Sequence, residues 1–237
     1  MFSVNDFYYK GYSTFQLDEN LTNQALDSIL EEHMVKFENE KSMFDDGEKN
    51  YKERFIAKSI LFKPRIWKKP YEDVLLDISK KVEPVLHKSS AEINKSNSYL
   101  MPLLGMPGYM MDLHSDEGDR ASVIAILYLS EDDFSEESGG SINFYDVTFD
   151  NDMKVKEKLL IEKIMPKNGR VVVINPSNPS FKHEVEPLRE DKKRYSIFMC
   201  LGTEETPDWE VEYTEKKGCI DLESLYGTEM PVEEKNN

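Results

Sequence analysis

The sequence predicts an α+β chain: a double-stranded β-helix (jelly roll) preceded by helices that pack on one of its sheets. Three observations predict it. Up to about residue 96 the apolar residues recur at three- and four-residue spacing, the period of an amphipathic helix. Beyond Asn97 they gather in short runs rich in Val, Ile, Tyr and Phe, broken by Gly, Pro, Asn and Asp. Eight such runs fit into about a hundred residues, which leaves no room for crossover helices, so the strands must pair antiparallel in a closed or two-layered architecture.

In chain order, Leu21, Ala25, Leu26, Ile29, Leu30 and Met34 form one helical stripe and predict a helix from Asn20 to about Phe37, with His33 beside the stripe as a partly buried residue. Residues 38–52 are polar and carry the turn signal Asp45-Asp46-Gly47, so a loop is expected there. A second helix opens at Pro70 and runs through Val74, Leu75, Ile78 and Val82. Pro84 removes an amide donor and should end or kink it, leaving His87 in solvent. The strands then expected are Tyr99–Leu104, Tyr109–His114, Ser122–Leu129, Ser141–Val147, Leu159–Met165, Arg170–Ile174, His183–Val185 and Arg194–Leu201. The chain thus reads as one domain: a helical support region (1–96), the jelly-roll core (97–203) and a C-terminal extension (204–237).

Composition excludes several functions. With 46 Asp+Glu against 30 Lys+Arg, the formal charge of −16 repels a phosphate backbone, so no nucleic-acid partner is expected. Hydrophobic residues make up 39% of the chain, enough for a core and too many for wholesale disorder. Two cysteines, Cys200 and Cys219, neither in a Cys-x-x-Cys or Cys-x-x-His arrangement, frame no disulfide scaffold and no structural zinc site. The N-terminal residues lack a signal peptide's basic start and apolar run, and no stretch nears the roughly 18 apolar residues of a membrane span. A cytoplasmic protein without a membrane partner is expected, and its oligomeric state is not readable.

The chemistry lies in three spaced pieces. His114 and Asp116 are two residues apart at a strand end, so both project to one face. An imidazole beside a carboxylate is two-thirds of a facial metal triad. Alone, His-x-Asp is unremarkable in so acidic a chain. His183 opens another strand 67 residues after Asp116, and a jelly roll can bring it across as a third ligand. Three ligands on one face of an octahedral ion leave open positions for a chelating cosubstrate and dioxygen, the pattern of non-haem Fe(II). The third piece is Arg194-Tyr195-Ser196. Arg194 and Ser196 share a strand face and offer a guanidinium fork plus a hydroxyl, an anchor for a distal carboxylate. A surface arginine in a charged hairpin is the competing reading, and Lys193 is a competing anchor on the opposite face. Met101, Met106, Met110 and Met111 precede the motif, as adaptable packing or as a substrate-facing wall with Tyr109.

Taken as a set, His114-x-Asp116, His183 and Arg194-x-Ser196 resemble the 2-oxoglutarate- and Fe(II)-dependent dioxygenases, the prolyl-4-hydroxylase-like branch most closely. Pro107-Gly108-Tyr109, Leu127-Tyr128-Leu129-Ser130 and Gly139-Gly140-Ser141-Ile142-Asn143-Phe144 agree in order, so the resemblance covers about residues 97–203. It implies Fe(II) on His114, Asp116 and His183, and the C5 carboxylate of 2-oxoglutarate on Arg194 and Ser196, with Tyr128 adding a hydroxyl. It also implies O2 as a reactant and ascorbate among the small molecules bound. The expected reaction is hydroxylation of a C–H bond in a protein or peptide, a prolyl residue included, or in a small molecule, with release of succinate and CO2.

One departure is that prolyl hydroxylases often place Lys ten residues after the distal histidine, where this chain has Lys193. The alternative is a non-redox metal-binding jelly roll, cupin-like or a zinc hydrolase, which needs nothing of Arg194. A silent fold relative is disfavoured because all three ligand positions are filled. A nucleic-acid demethylase is disfavoured because Cys200 stands where that branch has a second arginine, six residues after Arg194.

Overall fold

The computed structural model describes residues 1–30, 34–36, 59–62, 69–86, 89–93, 98–105, 108–116, 122–130, 134–151, 154–177, 181–189 and 192–202. Two antiparallel sheets form the core. The larger has seven strands: β1 (Tyr12–Gln16), β2 (Met34–Lys36), β3 (Ser59–Phe62), β4 (Ser98–Gly105), β6 (Val123–Leu129), β9 (Arg170–Ile174) and β11 (Arg194–Leu201). Their order is β1-β9-β6-β11-β4-β3-β2. The smaller sheet, ordered β5-β10-β7-β8, contains β5 (Met111–His114), β7 (Ile142–Phe149), β8 (Val155–Ile164) and β10 (Phe181–Val185). Neighbours distant in sequence, such as β4 beside β11 and β5 beside β10, make this the expected jelly roll.

Alternation of side chains divides the large sheet into two surfaces. One, with Ala125, Leu127, Leu129, Val171, Val173, Ile197, Met199 and Leu201, packs against the helices α1 (Val4–Tyr9), α2 (Glu19–Leu30) and α3 (Lys69–Val82). Helix α2 starts where the Asp18 carboxylate accepts from the Leu21 amide at 3.1 Å, an N-cap. Helix α3 buries Val74, Ile78 and Val82 completely, each contributing about 1.5–3 kcal/mol of hydrophobic stabilisation. It gives way to a 3-10 turn, Glu83–Val85, at the expected Pro84. The other surface, with Ile124, Tyr128, Val172, Ile174 and Cys200, faces Ile142, Phe144 and Ile164 of the small sheet.

Several boundaries differ from expectation. Helix α2, the first one expected, spans Glu19–Leu30, and Met34, the last residue of the apolar stripe, belongs to β2, where it pairs with Phe62. The N-terminal region supplies three strands besides its helices; β1 extends the large sheet beyond β9. Strand β8 begins at Val155, four residues before the expected start, because Lys156, Glu157 and Lys158 suit the exposed edge of a sheet. Strand β5 begins at Met111, so Tyr109 precedes it. His33, His87, residues 38–52 and the C-terminal extension lie outside the described residues.

Candidate active site

The two histidines meet through strand register. His114, the last residue of β5, pairs directly with His183 of β10, and His183 pairs on its other side with Phe144 of β7. Directly opposed residues project to one face. That face is the interior, where Phe144 packs with Tyr12, Ile124 and Val172. The imidazole centroids of His114 and His183 are 4.2 Å apart, and the Phe144 ring lies 5.5 Å from His183. Asp116 stands two residues past the strand end, and its carboxylate oxygens lie 3.8 Å from His114 Nε2 and 3.6 Å from His183 Nε2. One potential ligand atom from each residue falls within 4.8 Å of the others, on the scale of two metal–ligand bonds, about 4 Å.

Hydrogen bonding and burial act differently on the three groups. His114 Nδ1 lies 2.6 Å from the Asp112 carbonyl, which only accepts, so Nδ1 carries a proton and Nε2 is the atom turned toward Asp116. Burial holds the His183 imidazole well below its ordinary range, helped by His114 and Lys182, so it is neutral. Burial raises the Asp116 carboxyl, and charge on His114 opposes that.

The second cluster lies on the interior surface of the large sheet. Tyr128 of β6 and Ser196 of β11 are direct cross-strand partners, and Arg194 is one alternation further along β11. Arg194 is 5% exposed and Lys193 is exposed, so of the two competing cations only Arg194 points inward. Its Nη1 donates to the Gly140 carbonyl at 2.7 Å. Its Cζ stands 4.7 Å from the centre of the Tyr109 ring and 5.4 Å from that of Tyr128. Burial raises the Tyr128 phenol above its ordinary range, with Arg194 opposing, so its hydroxyl keeps its proton.

Gly139 and Gly140 make this approach possible. Both have positive φ, and a Cβ on Gly139 would lie 2.1 Å from the Pro187 carbonyl oxygen. The sequence motif flagged the two glycines, but not the use of the Gly140 carbonyl, which no side-chain pattern encodes. The part played by Tyr109 was also missed; its signal was Gly105, a bare position opposite Arg194.

Among the described residues, three buried side-chain polar atoms lack a hydrogen-bond partner: Asp116 Oδ2, His183 Nδ1 and Arg194 Nε. A buried polar group without a partner costs about 1–3 kcal/mol. Their concentration at these two clusters fits a cation by the acid and an anion by the guanidinium. One carboxylate with two imidazoles is the donor set of a 2-His-1-carboxylate iron site.

Comparison with known proteins agrees with this geometry. Residues 97–201 match the family model of the 2OG-Fe(II) oxygenase superfamily. Among solved structures, the fold is similar to a prolyl-4-hydroxylase from Pseudomonas putida, with 16% identity, 84% of this chain and 96% of that chain covered, and a TM-score of 0.57. It is similar to a prolyl hydroxylase from Trichoplax adhaerens in complex with a hypoxia inducible factor oxygen degradation domain peptide, with 17% identity, 85% and 87% covered, and a TM-score of 0.60. HygX from Streptomyces hygroscopicus, with nickel, 2-oxoglutarate and hygromycin B bound, has 13% identity, 87% and 88% covered, and a TM-score of 0.55. No curated protein matches the sequence. Residues 97–201, which contain both the His-Asp-His triad and the Arg194 cluster, are thus the segment similar to the 2OG-Fe(II) oxygenase superfamily, somewhat under half of the chain.

Proposed function

We propose that the protein is a hydroxylase in which His114, Asp116 and His183 hold Fe(II), while Arg194, Ser196 and Tyr128 hold the C5 carboxylate of 2-oxoglutarate. The observation that carries this reading is the gathering of unpartnered buried polar atoms at these two clusters. Fe(II), when bound, supplies the redox chemistry that joins O2 to the organic substrates. The protein's share is placement. The Asp112 carbonyl fixes the tautomer of His114, and the neutral His183 offers a lone pair without first losing a proton. Arg194 and the Tyr128 hydroxyl give the far carboxylate charge-assisted hydrogen bonds, which set the direction in which the 2-oxo acid end points. Phe144 and Tyr128, both essentially buried, line the interior with apolar surface and limit water there.

The overall reaction consumes a C–H substrate, O2 and 2-oxoglutarate and releases the alcohol, succinate and CO2. The two oxygen atoms of O2 end in the alcohol and in succinate. The substrate is a protein or peptide, with a prolyl side chain the first to test. A peptide-bound prolyl hydroxylase of similar fold supports this class, and HygX with hygromycin B bound makes a small molecule the second choice.

The test begins with anaerobic addition of Fe(II) and 2-oxoglutarate. A visible charge-transfer band is expected in the native protein and not in His114→Ala; a native protein without a band overturns the reading. Prolyl peptides are then incubated with Fe(II), 2-oxoglutarate, O2 and ascorbate, and mass spectrometry should find one added oxygen with stoichiometric succinate. In Arg194→Ala the KM for 2-oxoglutarate should rise about 10- to 100-fold, the worth of a hydrogen bond to a charged group. An unchanged KM favours a cupin-like or zinc-hydrolase protein instead.

A further inference from the structure

We propose that Tyr109 is the positioning residue of the 2-oxoglutarate anchor: its ring occupies the place left empty by Gly105 and holds the Arg194 guanidinium face-on. This rests on the reading of Arg194 as the anchor. Gly105 of β4 is the direct cross-strand partner of Arg194 in β11. Any other residue there would send a side chain along the same face as the guanidinium. A Cβ on Gly105 would meet the Tyr109 ring at 3.3 Å (Cγ) and 3.4 Å (Cδ1), so the ring lies directly over the bare backbone. From there it covers Arg194, with 4.7 Å between Cζ and the ring centre.

The ring is itself fixed. Tyr109 is 7% exposed and packs with Val185 and Leu188. Its carbonyl accepts from the Leu188 amide at 2.9 Å, and the Leu188 carbonyl accepts from the Gly108 amide at 2.8 Å. Its hydroxyl donates to Met111 Sδ at 3.2 Å, at the start of the strand that ends in His114.

Electrostatics gives the arrangement its purpose. An acidic clamp would fix a buried arginine but cancel the charge that an incoming carboxylate needs. Aromatic faces and a backbone carbonyl hold the guanidinium without neutralising it. Among the described residues Arg194 is held in this second way, by Tyr109, Tyr128 and the Gly140 carbonyl, and its Nε has no partner there.

The experiment is calorimetric titration of 2-oxoglutarate into protein loaded with Mn(II), which involves no turnover, alongside steady-state kinetics. Tyr109→Leu should weaken 2-oxoglutarate binding about tenfold, the scale of a desolvated cation–π contact, and raise its KM with little change in kcat. Tyr109→Phe keeps the ring face and should bind as the native protein does. Gly105→Ala, which leaves Tyr109 in place but crowds it, should weaken binding in the same direction and serves if Tyr109→Leu does not fold. If Arg194→Ala binds poorly while Tyr109→Leu and Gly105→Ala bind normally, the positioning role is overturned and the anchor stands. If Tyr109→Phe is as defective as Tyr109→Leu, the ring face is not the operative element and the proposal also fails. Normal binding by Arg194→Ala removes the anchor itself.

Discussion

The two faces of the four-stranded sheet are built from the same strands and obey opposite rules. On the outer face, Asn143 donates to Glu186 and accepts from Ser141, and Lys163 lies 3.0 Å from the Glu186 carboxylate. Tyr145 donates to Glu184, which also receives Lys158, and burial with the nearby carboxylate pushes the Tyr145 phenol up to about 12. On the inner face, one alternation away, Asp116 Oδ2 and His183 Nδ1 are buried without hydrogen-bond partners among the described residues. Phe144 belongs to the inner face and Asn143 to the outer, although they are adjacent in sequence. The difference teaches where the fold is complete and where it waits for something else: a satisfied polar network stabilises, whereas an unsatisfied one is kept for a ligand.

This contrast can be broken experimentally, and the inner face should give the largest effect. In His183→Leu an apolar side chain replaces a buried polar one. Activity should fall at least about 100-fold, since even the outer partners of metal ligands are worth 10–100-fold. Urea unfolding of the metal-free variant should show stability equal to the native protein or up to about 1 kcal/mol higher, because an unpartnered nitrogen is gone. A large loss of stability would mean that His183 is structural. Asn143→Ala should do the reverse. It strips partners from Ser141 and Glu186 and should cost about 1–3 kcal/mol in the same measurement, with Fe(II) affinity close to native.

The smallest effect sharpens the outer face by pH. Burial pulls the Glu186 carboxyl upward, but hydrogen bonds from Asn143, Lys163 and Ser141 outweigh it, and the net position is below the ordinary 4.5. A carboxyl depressed on folding stabilises the native state fully above its unfolded value, and loses that contribution as pH falls through the folded value. Acid unfolding of Glu186→Gln should therefore be shallower than that of the native protein below about pH 4.5, and the two curves should run parallel above it. Identical slopes in the acid range would show that Glu186 contributes no linkage.

How much of this was legible in the sequence follows from which interactions are local. The strands of the core announced themselves through alternation, and His114, Asp116 and His183 through spacing plus the expected topology. Alternation also separated Arg194 from Lys193 correctly, because adjacent residues on a strand must face opposite ways. Strand β1 was missed since Tyr12–Gln16 is short and its identity as a strand comes from pairing with β9, more than 150 residues away. The coverage of Arg194 was equally hidden. It depends on a glycine opposite, a ring from before the next strand and a carbonyl from a third segment, none adjacent to the others along the chain.

Strand β1 has a practical consequence. It closes the open side of β9, whose Val171-Val172-Val173-Ile174 run would otherwise present bare amides and carbonyls beside β-branched side chains. Such a margin is a template for intermolecular cross-β growth. Strand β1 then forms the outer margin itself, with the short Tyr12–Gln16 in place of the β-branched run, so any shortened version of the chain should begin upstream of Tyr12.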